Sequence, residues 1–158
     1  MENKEIELEF SMKGGTPAKH KTACVVVGVF DGGTLSAPAQ ALDDASGGAI
    51  SAMLKHGDHE GRAGASHMLY QLPGVAAERV LVVGLGKADA FNEKAYREAV
   101  AGVVKTLSTS GATDALITLT EAPVVGRSVE WAIEQAATIA YDAQYRFDML
   151  KSDAKRPP

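Results

Sequence analysis

Apolar and polar positions alternate along the chain in a way that predicts short buried strands separated by amphipathic helices. The clearest strand is at residues 79–87 (RVLVVGLGK), where four branched apolar residues lead into a glycine turn. A continuous apolar run is typical of a strand that is buried on both faces, as in a sheet covered by helices. Residues 23–30 (ACVVVGVF) have the same character, and residues 115–119 (ALITL) form a shorter example. The pattern therefore predicts an α/β fold with these strands at its centre.

Two further segments have the period-two alternation of half-buried strands. In residues 6–10, three apolar side chains alternate with glutamates. In residues 66–72, Met68, Tyr70 and Leu72 are expected on one side. Because strands that are consecutive in sequence usually pair, we expect residues 66–72 to lie beside residues 79–87.

The helices are predicted by their capping residues and by the spacing of their apolar positions. Ser36 is a suitable N-cap for a helix that is interrupted at Gly47-Gly48, and a short helical piece follows. The best-defined helix begins after Asn92, where Phe91 and Tyr96 occupy the positions of a hydrophobic staple.

The last predicted element is a long helix over residues 129–150 with a heptad-like apolar stripe. Trp131, Ile139 and Tyr145 do not fit this stripe, so we expect them to be available to cover a partner outside the domain. The final residues, KSDAKRPP, cannot continue a helix through two prolines. We predict a single N-terminal α/β domain at residues 1–150 and the start of a linker at residues 151–158.

Composition narrows the class of protein. A chain of 158 residues with 46% hydrophobic and 23% charged residues suits one globular domain. Its net charge of −4 argues against a dedicated nucleic-acid-binding domain, which is usually basic. The single cysteine, Cys24, cannot form an internal disulfide, and no apolar run has the length of a membrane span. We therefore expect a cytoplasmic protein.

The glycine turn is the first candidate site. Gly84, Gly86 and Lys87 suggest a loop that binds an anion or a nucleotide through backbone N–H groups. However, Asp89 stands where a dinucleotide fingerprint needs its third glycine, and the spacing required of a P-loop is also absent. A plain strand-exit turn that needs the flexibility of glycine is the alternative.

The other candidate residues give no catalytic or metal-binding constellation. His56, Asp58, His59 and Glu60 are dense in potential ligands, but Gly57 breaks the helical spacing that a zinc motif needs, so no metal ligand is assigned. Cys24 lies in an apolar run that is unfavourable for a reactive thiolate, and the adjacent carboxylates Asp43 and Asp44 are expected to be solvated. Three lysines in the polar connection at residues 13–22 are possible nucleic-acid contacts: Lys13, Lys19 and Lys21.

The order of the elements resembles that of a known family. With ACVVVGVF early, RVLVVGLGK in the middle, FNEKAYREAVAGVVKTL after it and YDAQYRFDMLKS at the end, roughly residues 6–153 resemble the N-terminal domain of the leucyl aminopeptidase (cytosol aminopeptidase) family, bacterial type. The resemblance implies a macrodomain-like α/β fold, in which a mixed sheet is flanked by helices and a long linker helix leads to a catalytic domain.

The resemblance also implies a function. Family members are hexameric metallopeptidases that remove N-terminal residues from peptides, with two divalent ions, zinc or manganese, in the C-terminal domain. None of their catalytic motifs matches a position here, so we expect a structural or regulatory domain that is not an enzyme alone, with its own catalytic domain and a homo-hexamer as partners. Two alternatives remain open: a DNA-binding or regulatory module, as in some bacterial members, and a pocket for ADP-ribose or a related nucleotide.

Overall fold

The computed structural model describes residues 12–13, 17–19, 21–55, 61–110, 112, 114–143 and 148–150. Within them the strands are β1 (Met12–Lys13), β2 (Cys24–Phe30), β3 (Thr34–Leu35), β4 (Ser66–Tyr70), β5 (Arg79–Gly86), β6 (Leu116–Ile117) and β7 (Asp148–Leu150). The α-helices are α1 (Ala37–Ala45), α2 (Ala49–Lys55), α3 (Glu93–Ser108) and α4 (Val129–Ala143). Short 3₁₀ turns lie at Pro17–Lys19, Ala88–Ala90 and Leu119–Glu121.

The strands form one mixed sheet in the order β1-β7-β6-β2-β5-β4, with β3 also pairing with β2. β2 is parallel to both β5 and β6, whereas β4 is antiparallel to β5. The predicted pairing of β4 with β5 is therefore confirmed. All seven residues of β2 are buried, as are the six interior residues of β5. These are the apolar runs that the sequence places at the centre of the sheet.

Helices cover both faces of the sheet. One core cluster lies between the sheet and helices α3 and α4, and it includes Leu81, Tyr96, Val100 and Ala136. The second cluster lies under α1 and α2 and includes Leu42 and Ile50, with alternate β2 and β5 residues. Because successive side chains of a strand point to opposite faces, the two central strands contribute to both clusters. The macrodomain-like architecture of a mixed sheet flanked by helices is confirmed.

The predicted helix caps form as expected from the local sequence. The Ser36 side chain accepts a hydrogen bond from the Ala39 N–H, and the Asn92 side chain accepts one from the Ala95 N–H. Phe91 and Tyr96 make the expected staple contact, edge to face with ring centroids 6.1 Å apart. Local signals therefore fix where α1 and α3 begin.

The predicted end of the last helix is wrong. α4 ends at Ala143, and Asp148–Leu150 is not helical but forms β7, which pairs with β6 and with β1. The physical reason is that β6 offers an open edge, whose backbone groups β7 satisfies. The heptad-like spacing at residues 147 and 150 is a local pattern, so it does not indicate pairing with β6, which is distant in sequence. The region expected to be a linker helix thus returns to the sheet.

Three smaller predictions also need correction. β6 covers only Leu116–Ile117, and the Thr118 N–H and hydroxyl that follow both donate to the Val26 carbonyl of β2. β4 ends at Tyr70, so Leu72 lies beyond the strand, and Tyr70 is 64% exposed. The connection at residues 13–22 is not purely polar, since Pro17 and Ala18 are buried in a 3₁₀ turn.

The prediction that both Asp43 and Asp44 are solvated is wrong for Asp43. Its side chain is buried and accepts hydrogen bonds from the Ser51 N–H at 2.8 Å and from the Ser51 hydroxyl at 2.6 Å. Asp44 is exposed and bonds the side chain of Gln40. Asp43 therefore joins α1 to the first turn of α2, where an acceptor satisfies an unpaired helix N–H.

Some predictions lie outside the described residues. These are the strand at residues 6–10, the ligand-rich segment at residues 56–60, Tyr145 and the linker at residues 151–158. In the part of the chain that is described, no helix has both the length and the apolar character needed to cross a membrane.

Candidate functional site

The glycine turn after β5 is built into the backbone of a neighbouring loop. The Gly84 N–H donates to the Ala65 carbonyl and the Gly86 N–H donates to the Gly61 carbonyl, both at 2.8 Å. The Gly86 carbonyl accepts from the Asp31 N–H, also at 2.8 Å. These bonds hold residues 61–65 and the loop after β2 against the end of β5.

Both glycines have a steric reason to be glycine. A Cβ on Gly84 would lie 2.0 Å from the Arg62 carbonyl oxygen, which is far inside van der Waals contact. Gly86 has a φ of +80°, a left-handed conformation that residues with a side chain rarely adopt. An anion at this turn would therefore have to use the exposed Lys87 and N–H groups other than these two. The anion-binding loop remains a prediction.

The three lysines do not form one described basic patch. Lys13 lies in β1, and Lys19 and Lys21 are exposed at the 3₁₀ turn and just after it. Lys21 borders a shallow depression whose other charged residues are Glu78, Arg79 and Asp114. Its surroundings are mixed in charge, so they give no electrostatic preference for phosphate. Nucleic-acid contact by these lysines remains a prediction.

Cys24 is fully buried at the start of β2. Burial raises the pKa of its thiol to about 12, so the thiol stays protonated at neutral pH. A protonated, inaccessible thiol is not a nucleophile. Elsewhere in the described part of the chain, no cluster of three or more histidine, cysteine, aspartate or glutamate side chains could hold a metal ion.

Near the starts of α3 and α4, Arg97, Arg127 and Trp131 form a cluster that was not predicted from the sequence. The guanidinium groups of Arg97 and Arg127 lie 5.6 and 5.4 Å from the centroid of the Trp131 ring, and both arginines pair with Glu93. Trp131 also contacts Tyr96, with centroids 5.6 Å apart. Only the Glu93–Arg97 spacing of four residues could have indicated this cluster.

Trp131 and Ile139 were expected to be available to cover an outside partner, and that role stays a prediction. Both are partly buried against the core under α3 and α4. Arg97 and Tyr96, which contact Trp131, belong to α3 and are distant in sequence, so the helical periodicity of α4 does not indicate these contacts.

A groove opens between α3 and the β4–β5 edge of the sheet. Its volume is about 270 Å³, and it exists because the facing positions carry small side chains. On α3 these are Ala95, Ala99 and Gly102, and on the other side they are Ala65 and Ser66. No sequence motif marks this groove.

Comparisons with known proteins agree on the family. The model of the cytosol aminopeptidase family, N-terminal domain, matches residues 26–154. The probable cytosol aminopeptidase of Thioalkalivibrio sulfidiphilus is 50% identical over 153 residues, which is 95% of this chain and 31% of that protein. The chain thus spans about a third of the length of the curated relatives it matches.

Solved structures agree on the fold. A tomato leucine aminopeptidase mutant superposes with a TM-score of 0.66 at 21% identity, covering 95% of this chain and 34% of that one. The macro domain of GDAP2 superposes with a TM-score of 0.73 at 12% identity, covering 99% of this chain and 83% of that domain. At these identities the likeness shows the macrodomain fold alone. Because the family model covers most of the chain and the high-identity relatives agree, this chain belongs to the cytosol aminopeptidase family, as its N-terminal domain.

Proposed function

We propose that this chain is the non-catalytic, structural or regulatory domain of a leucyl aminopeptidase-type exopeptidase that removes N-terminal residues from peptides. The observation that carries the proposal is the match of nearly the whole chain to only about a third of each curated relative. The other two thirds of such a protein would hold the two divalent metals, zinc or manganese, and the peptide.

The roles of the polar side chains support this proposal. Asp43 bonds the first turn of α2, Asp114 accepts hydrogen bonds from the Thr22 hydroxyl and the Ala23 N–H, and Glu93 pairs with two arginines. Each carboxylate therefore stabilises the fold of this domain.

The proposed partners are the protein's own C-terminal catalytic domain and further copies in a homo-hexamer, in the cytoplasm. β7, the last described element, is hydrogen-bonded into the sheet, so the domain would end near Leu150. Residues 151–158 would then begin the linker to the catalytic domain.

A chimaera tests the proposal directly. This chain would replace the matching N-terminal residues of the Thioalkalivibrio relative, to which it is 50% identical. We expect the chimaera to assemble like the parent and to hydrolyse leucine p-nitroanilide with added Mn²⁺ at a rate within about tenfold of it, because the catalytic part is unchanged. The relative lacking its N-terminal domain is the control, and we expect it to be defective in assembly or stability. A folded chimaera without assembly or activity would contradict the proposal.

A further inference from the structure

β4 is the last strand at one end of the sheet. It pairs with β5 on one side, and among the described residues no strand pairs with its other side. The backbone groups of Ala65 and Gln71 bond inward, at 2.8 and 2.9 Å. Because these groups alternate in direction along an antiparallel strand, Ser66, Met68 and Tyr70 direct their N–H and C=O outward. Within the described residues, the outer edge of β4 therefore carries no partner strand.

Residues 66–70 themselves carry no feature that prevents strand pairing at this edge. Edge strands of soluble monomers are commonly blunted by lysine, proline or a bulge. The sequence of β4, SHMLY, contains neither residue, and its pairing with β5 is regular over all five positions. Tyr70 is 64% exposed at the end of the strand. Such an edge is typical of a surface that is covered in the assembled protein.

The groove described above opens on the face of the sheet that carries the side chains of Ser66, Met68 and Tyr70. Ser66 lines it, Met68 packs against the core under α3, and Tyr70 follows on the same side at the same two-residue spacing. Its volume of about 270 Å³ falls just below the range of roughly 300–1,000 Å³ typical of ligand pockets. The groove therefore suits one inserted side chain better than a whole ligand.

We propose that β4 pairs antiparallel with β4 of a second copy of this chain, and that Tyr70 of each copy inserts into the groove of the other. If all five residues of β4 pair with β4 of the second copy, Met68 lies opposite Met68 and Tyr70 lies opposite Ser66. Residues directly opposite each other share a face of the sheet, so Tyr70 of the second copy comes to the side of Ser66 on which the groove opens. The surface is thus self-complementary about a two-fold axis.

The position of β7 favours a second copy over the chain's own continuation as the occupant. β7 is separated from β4 by β6, β2 and β5, which places it about 19 Å away at the usual strand spacing. Leu150, the last described residue, therefore lies at the opposite end of the sheet from the groove. The free edge and the exposed tyrosine lie together at the far end.

Sedimentation velocity over a range of concentrations tests the proposal. We expect the chain to form a dimer whose dissociation constant rises at least about tenfold in Tyr70→Lys and in Gly102→Leu. Gly102→Leu fills the groove, and it should not impair folding because a Cβ there meets no atom within 4 Å and leucine is the better helix former. Tyr141→Lys is the matched control, since Tyr141 is 52% exposed on α4, and it should dimerise like the parent.

Cysteine cross-linking tests the register. In Met68→Cys the two thiols would face each other with Cα atoms about 5.5 Å apart, which is within the range of a disulfide. In Ser66→Cys the two thiols would be about four residues apart along the strands, roughly 13 Å, so no disulfide should form. Cys24 is buried and would not compete.

Two results would overturn the proposal. One is a chain that remains monomeric up to about 1 mM, the weak end of specific association, which would leave the edge to a different protein or to the catalytic domain. The other is a dimer that is unaffected by both Tyr70→Lys and Gly102→Leu, or that cross-links through Ser66→Cys rather than Met68→Cys. Neither result would bear on the aminopeptidase assignment.

Discussion

At the scale of single residues, adjacent side chains of one type can have opposite environments. Asp43 is buried and bonded to Ser51, while its neighbour Asp44 is exposed on α1. Adjacent positions of a helix point to different faces, so the two carboxylates need not share an environment. The sequence does not indicate that the second helix begins against one of them, because that contact depends on the turn at Gly47-Gly48. The burial of Asp43 could therefore be found only from the structure.

Asp43→Ala should destabilise the domain by about 1–3 kcal/mol. The substitution leaves the Ser51 N–H and hydroxyl without their acceptor in a partly buried place, and it removes a cap from α2. Urea unfolding followed by circular dichroism measures the change. Asp44→Ala is the control and should stay within about 0.5 kcal/mol of the parent. Equal effects of the two substitutions would contradict the assigned role of Asp43.

Because the thiol of Cys24 is buried, we expect the free energy of unfolding to fall at alkaline pH. Below pH 9 Cys24 is protonated in both folded and unfolded chains, whereas between pH 9 and about 12 only the unfolded chain loses the proton. The free energy of unfolding should therefore fall by up to about 1.4 kcal/mol per pH unit from this group. Urea unfolding from pH 8.5 to 11 should show a shallower fall in Cys24→Ala. Identical slopes would mean that the thiol does not resist ionisation in the folded state.

At the scale of elements, local signals predicted most of the fold. β2, β5, α1 and α3 are marked by continuous apolar runs or by capping residues, both of which act within a few residues. β7 and the contacts of Trp131 with α3 were missed because they depend on partners far along the chain. The groove was missed for the same reason, since its walls come from α3 and from the β4–β5 edge. The glycine turn was found, but its fit against residues 61–65 was not.

Two glycines should respond in opposite ways to the same change. Gly84→Ala would place a Cβ 2.0 Å from the Arg62 carbonyl oxygen and should destabilise the domain by several kcal/mol, because backbone must move on both sides. Gly102→Ala meets no atom and should stabilise α3 by about 0.5–1 kcal/mol. Thermal unfolding of both variants measures the difference. A tolerated Gly84→Ala would contradict the close packing of β5 on the loop.

Truncation tests whether β7 belongs to the domain. A chain ending at residue 147 loses β7, which leaves the edges of β6 and β1 unpaired, so its melting temperature should fall by several degrees. A chain ending at Leu150 keeps β7 and removes only the proposed linker. We expect its melting temperature to equal that of the parent, as measured by calorimetry. If the shorter chain unfolds like the parent, β7 does not contribute to the domain.

At the scale of the whole molecule, the fold alone does not indicate which chemistry the parent protein performs. The sheet and its helices are shared with macrodomains, while sequence places the chain in the cytosol aminopeptidase family. The chain covers about a third of its curated relatives, and the carboxylates of Asp43, Asp114 and Glu93 bond within their own domain. Under the proposed function, peptide hydrolysis belongs to the remainder of the parent protein.

An assay of leucine p-nitroanilide hydrolysis by the purified chain, with added Mn²⁺ or Zn²⁺, tests the proposal that this domain is not catalytic. The full-length Thioalkalivibrio relative, assayed alongside, shows that the conditions support the reaction. We predict no turnover above the rate of the metal ions alone. Metal-dependent hydrolysis that co-purifies with the chain would show that the chain carries a catalytic site of its own and would contradict the account.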